Sequence, residues 1–241
     1  MKPMKLFTNL SVALICIALF TGCKKDSKPT QPPQSSCKIT TIAVSGANAV
    51  SIAYNNDGTV STITSGTGIT SYVYSGNTIT ETTMNSGQFD TKAIITKNGD
   101  GLATNVRTEY SADGTDWDNE AYEYNGTQVI KLTYTSSNGG SSDISTFQWS
   151  GGNLVSVIDT GDTTKIDYFT DKLSQGADYL SLSQFIQGYE VFRNKNILKS
   201  ITNGTDVTNV TYTYDTDGKI TSLTENDGTD TYNYSFQYQC N

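Results

Sequence analysis

The chain has 241 residues, with 24 Asp and Glu against 16 Lys and Arg, a net charge of −8, and no histidine. The missing imidazole excludes His-dependent triads, imidazole metal centres and the usual general base. The acidic balance argues against nucleic acid and anionic headgroups as partners, because phosphate binding rests on clustered Lys and Arg.

Residues 1–22 read as an export signal, with Lys2 and Lys5, an apolar run from Leu10 to Phe20, and small residues leading to Cys23. The run is shorter than the ~20 residues of a spanning helix. Phe20-Thr21-Gly22-Cys23 resembles a lipobox. That resemblance implies cleavage before Cys23 and acylation of its thiol and freed amino group, so that the membrane is met through the lipid alone; each buried methylene adds ~0.8 kcal/mol. The alternative is an ordinary secretory signal with an incidental cysteine. Removing Lys2 and Lys5 leaves 16 − 2 = 14 basic residues and a net charge of 14 − 24 = −10. Residues 23–36 hold three of the four prolines and no large apolar side chain, the composition of an extended disordered tether.

The remaining domain, 37–241, shows period-2 alternation broken by Gly, Asn and Asp, which predicts an almost wholly β structure. In its last strand Tyr232, Tyr234, Phe236, Tyr238 and Cys240 share one face, with Asn233, Ser235, Gln237 and Gln239 on the other. A repeat underlies the pattern. Tyr54…Gly58…Val60…Ile63 and Tyr214…Gly218…Ile220…Leu223 match in spacing, and Tyr74, Tyr124 and Trp149 open shorter versions around Gly76, Gly126 and Gly151. Each unit reads as an aromatic closing one strand, a Gly turn with positive φ, and an apolar start to the next. Hairpins of this size bury no face alone, so they share one continuous sheet.

Residues 171–197 break the alternation. Leu180, Leu182, Phe185 and Ile186 fit a short helix near Asp178 to Gln187 that either plugs the apolar face or forms a lid over a pocket.

The lipobox, the Tyr-x-x-Asp-Gly-x-Ile-x-x-Leu hairpins, the segment Lys195-Asn-Ile-Leu-Lys-Ser-Ile-Thr202 after the insert and the aromatic alternation ending at Cys240 resemble a Bacteroidetes lipoprotein domain of unknown function with a porin-like fold. The hairpins are also similar to the YD repeats of large bacterial shell-forming toxins. The resemblance implies a large curved antiparallel meander or barrel and an envelope location, an outer-membrane lipoprotein at the periplasmic face or cell surface, with no assigned activity. A barrel spanning lipid needs a continuous apolar outer band. Here Thr, Ser, Asn and Lys oppose the aromatics, so the expected barrel is water-soluble with its aromatics inside.

Of four cysteines, Cys16 lies in the signal and Cys23 in the lipobox, leaving Cys37 and Cys240 to pair in an oxidising compartment or to stay free. Pairing requires the first and last strands to be neighbours, and hence a closed or nearly closed barrel.

No serine sits in a nucleophile elbow or beside a catalytic Lys, so only a carboxylate pair could do acid/base work, as in a glycosidase. The expectation is a non-enzymatic binding or scaffolding domain without cofactor or metal, taking a glycan or protein ligand. The densest acidic stretch, Asp113-Gly114-Thr115-Asp116-Trp117-Asp118-Asn119-Glu120, has alternating oxygen ligands that could wrap calcium, but its spacing and the position of Gly114 do not match an EF-hand loop, and the favoured reading is a solvated hairpin turn. Trp117 at a hairpin tip could stack on a sugar while Asp116, Asp118 and Glu120 bind its hydroxyls; the alternative is a ring folded back over the sheet.

Overall fold

The structure, a computed structural model, describes residues 37–240. The signal, Cys23 and the tether lie outside the described residues. Antiparallel strands pair in chain order around one closed barrel: β1 (Lys38–Val44), β2 (Val50–Tyr54), β3 (Val60–Ser65), β4 (Gly68–Ser75), β5 (Thr78–Asn85), β6 (Gln88–Lys97), β7 (Ala103–Glu109), β8 (Trp117–Asn125), β9 (Gln128–Ser136), β10 (Asp143–Ser150), β11 (Asn153–Asp159), β12 (Asp162–Leu173), β13 (Asn196–Asn203), β14 (Asp206–Tyr214), β15 (Ile220–Asn226) and β16 (Thr231–Gln239). The ring closes where β1 pairs with β16, and the Cys37–Cys240 disulfide crosses that seam with its α-carbons 4.0 Å apart. Sixteen strands make eight pairs at this end of the barrel, seven joined by chain and the eighth by the disulfide. The covalent bond therefore stands where a hairpin turn would.

The repeat has a structural cause that strict alternation does not supply. Inward residues stand three apart in Ile39/Ile42, Val60/Ile63, Ala103/Val106, Leu154/Val157, Leu198/Ile201 and Ile220/Leu223. An odd spacing puts two residues on opposite faces of a regular strand. Here a bulge inserts one extra residue, such as Ser61 or Thr221, and returns both side chains to the core. Seven of the eight pairs at this end carry the bulge.

In six of the eight units the aromatic then fastens the ladder, while the buried Tyr214 hydroxyl reaches no carbonyl. Tyr54 donates to the Ile39 carbonyl at 2.6 Å, Tyr74 to Val60 at 3.0 Å, Tyr124 to Ala103 at 2.6 Å, Trp149 to Val129 at 2.8 Å, Tyr168 to Leu154 at 2.6 Å and Tyr238 to Ile220 at 2.6 Å. Each ring packs on the core while its polar tip satisfies a carbonyl on the preceding strand. The result is a girdle of aromatics around the disulfide end.

Buried Ile, Val and Leu from nearly every strand form one core inside the ring, each worth roughly 1.5–3 kcal/mol on burial. Outward positions are mostly polar, as Asn209, Thr211 and Thr213 on β14 and Asn233, Ser235, Gln237 and Gln239 on β16 show. The exposed apolar side chains Ile69, Val73, Ile130, Ile144 and Val207 are spread over four strands. No helix among the described residues is long and apolar enough to cross a membrane.

Strands β12 and β13 run further than the sequence suggested, so the insert is 174–195 rather than 171–197. Its helix α1 (Tyr179–Gln187) begins where Asp178 accepts from the Ser181 amide and ends at Gly188, whose φ of 81° is left-handed. Ala177, Tyr179, Leu180, Leu182 and Val191 belong to the barrel core, so the insert is a plug. It is tied across the end: Gln175 to the Gly218 carbonyl, Tyr124 to the Val191 carbonyl, and the Ala103 amide to the Glu190 carbonyl. Asn196, buried at the start of β13, accepts from Asn153 and donates to the Lys172 carbonyl, which fixes where the plug rejoins the sheet.

Candidate functional site

One stretch of the barrel departs from the repeat. Strand β5 has no bulge opposite Tyr74, since Tyr74 pairs with Ile79 and the register runs on unbroken. Two inward positions therefore fall at Ile79 and residue 81, and residue 81 is a glutamate. On β6 the girdle position is Lys97, opposite Ala103. The unit Lys97…Gly101…Ala103…Val106 has the spacing of Tyr54…Gly58…Val60…Ile63, and was hidden from the sequence reading because a lysine stands where the aromatic should. No side chain among the described residues donates to the Ile79 carbonyl. The two departures go together: the bulge beside an acceptor and the aromatic that reaches it are lost at the same place.

A cavity of about 600 Å³ opens there, between this wall and the plug. Val60, Tyr74, Ile79 and Lys97 line the barrel side, and Phe185, Tyr189, Phe192 and Arg193 belong to the insert.

Behind it lie two buried carboxylates. Burial pushes the Glu81 carboxyl up to about 8 from 4.5, and its Oε1 has no hydrogen-bond partner. Burial also raises Glu120, although Tyr122 and Tyr189 donate to it. Tyr189 of the plug feels both negative charges, and burial is the main cause that raises its own hydroxyl. The plug thus covers the two acids, Gly188 packing against Glu81 and Tyr189 donating to Glu120.

The four residues singled out in the sequence do not share one surface. Alternation along β8 sends Trp117 outward and Asp118 and Glu120 inward. The Trp117 ring lies on the outer wall under the Arg107 guanidinium, 4.5 Å from its centroid, and Arg107 is itself bound to Glu109 at 3.1 Å. Asp118 accepts from Tyr110 at 2.9 Å, and Asp116 from Ser137 at 3.2 Å in the neighbouring turn.

No family model and no curated protein matches the chain. Among solved structures, a porin-like protein from Bacteroides uniformis superposes with a TM-score of 0.59 at 15% identity, covering 87% of this chain and 100% of that one. A second, from Bacteroides vulgatus, gives 0.58 at 15% identity over 83% of this chain and 98% of that one. The fold is that of these porin-like proteins. At such identity the likeness is one of architecture; it carries no activity and says nothing of YD repeats. In the present barrel the repeat gives way at Glu81 and Lys97.

Proposed function

We propose that this chain is a lipid-tethered, non-catalytic β-barrel that binds or scaffolds a glycan, protein or small ligand at the cell envelope. The observation that carries the reading is the plug. Residues 174–195 fill the barrel end at which Cys37 and Cys240 also sit, while the outward face is mostly polar where a spanning barrel would offer lipid an apolar band. Such a body would attach through Cys23 and not through its own wall.

Detergent phase separation of cells producing the full chain tests this. The wild type should enter the detergent phase, and Cys23→Ser should stay in the aqueous phase or remain uncleaved in the inner membrane. Outer-membrane integration of a processed Cys23→Ser protein would show that the barrel wall meets lipid and would overturn the reading.

A further inference from the structure

The cavity at the irregular stretch carries its own chemical signature. Lys97 lines it and makes no ion pair among the described residues. The other cation on the wall, Arg193, is already committed: it holds Glu190 at 2.6 Å and donates to the Asp100 carbonyl at 3.0 Å. Lys97 and Arg193 against Glu190 leave one positive charge in excess, in a chain whose net charge is −8. Most polar groups of the plug are used internally. Gln184 accepts from the Val191 and Phe192 amides, and Ser174 and Ser181 both donate to Asp178. Tyr74, Ile79, Phe185, Tyr189 and Phe192 supply the aromatic and aliphatic part of the wall, about half of it.

A cavity whose wall is about half polar and half apolar, with one cation outside any ion pair, has the mixed lining that small-molecule sites use to orient a ligand. At the corresponding position of six other units the barrel fills this space with a Tyr or Trp whose polar tip is tied to a carbonyl. Here it leaves the space empty and supplies an ammonium. A neutral or cationic ligand would leave that ammonium without a counter-charge, whereas an anion satisfies it with a charge-assisted hydrogen bond.

We propose that this cavity binds a small organic anion, a carboxylate or similar anionic group on an aromatic or aliphatic body, with Lys97 Nζ holding the anionic end and Tyr74, Phe185 and Phe192 packing the body. The proposal deepens the binding half of the reading above and does not depend on the anchor.

Calorimetric titration of the full chain in dodecyl maltoside tests it, with 4-phenylbutyrate as probe and 4-phenylbutyramide as the neutral control for partition into micelles. The carboxylate should bind at least about tenfold more tightly than the amide, the scale of one hydrogen bond to a charged group. Lys97→Met, which keeps the volume, should erase that difference; Lys97→Arg should retain it; Lys97→Tyr, which refills the space, should remove binding of both probes while the protein still unfolds cooperatively. Equal binding of carboxylate and amide by the wild type would overturn the proposal without any variant. So would no binding at all, or an undiminished preference in Lys97→Met. If that happens while Cys23-dependent partition persists, the anion site fails and the tethered barrel stands.

Discussion

Gly188, the residue that ends the plug helix, packs its α-carbon directly onto Glu81: a β-carbon there would stand 2.8 Å from Glu81 Cδ and 2.6 Å from Tyr72 Cε1. Its left-handed φ of 81° adds a second reason for glycine. The plug and the irregular strand thus fit each other through one residue without a side chain.

Gly188→Ala should therefore destabilise the protein by about 1–3 kcal/mol through backbone strain and overlap together. Urea unfolding measures it. Adding Glu81→Ala should restore part of the loss by opening room, and purely additive losses would show that the contact is not what matters.

Glu81 also predicts a pH dependence. Its carboxyl is raised in the folded state to about 8 from 4.5, so folding favours the protonated form. The stability it contributes is complete below about pH 4.5 and is lost progressively as pH rises through about 8. Thermal unfolding midpoints of the wild type should fall across that window, and Glu81→Gln, neutral at every pH, should flatten the fall. Equal slopes would locate the dependence elsewhere.

The girdle can be tested one hydroxyl at a time. Tyr54→Phe and Tyr168→Phe keep the ring and remove the bond to the Ile39 or Leu154 carbonyl. Each should cost about 1–2 kcal/mol, a lost hydrogen bond plus a carbonyl left short of a partner. Tyr232→Phe, at an exposed position, should be close to neutral. Chemical denaturation of the three variants side by side reads the contrast.

Reduction of the seam is the largest single change expected. The disulfide closes a loop of 203 residues, for which chain entropy gives about 5 kcal/mol as an upper figure. Reduced protein, or Cys37→Ser with Cys240→Ser, should unfold at markedly lower denaturant with an unchanged strand signature in circular dichroism, because β1 and β16 remain hydrogen-bonded in register.

The sequence by itself determined the class of the fold. Alternation from Tyr232 to Cys240, the Tyr and Gly spacing of the hairpins, and the break near Asp178 are local patterns, and local patterns survive in a linear reading because period 2 and turn chemistry are properties of neighbouring residues. Even closure was legible, since two cysteines at the domain ends bond only if the ends meet. The site was not. Spacing of three between Val60 and Ile63 becomes meaningful only when the opposite strand shows a bulge, and Lys97 becomes a departure only beside Tyr54 and Tyr124 at the same height of the ring. Trp117 and Asp118, adjacent in the chain, were joined in one candidate surface until the barrel put a wall between them. Tertiary structure decided these because they depend on which strands face one another and on what the plug covers, and the burial that raises Glu81 is produced by residues a hundred positions away, at Gly188 and Tyr189.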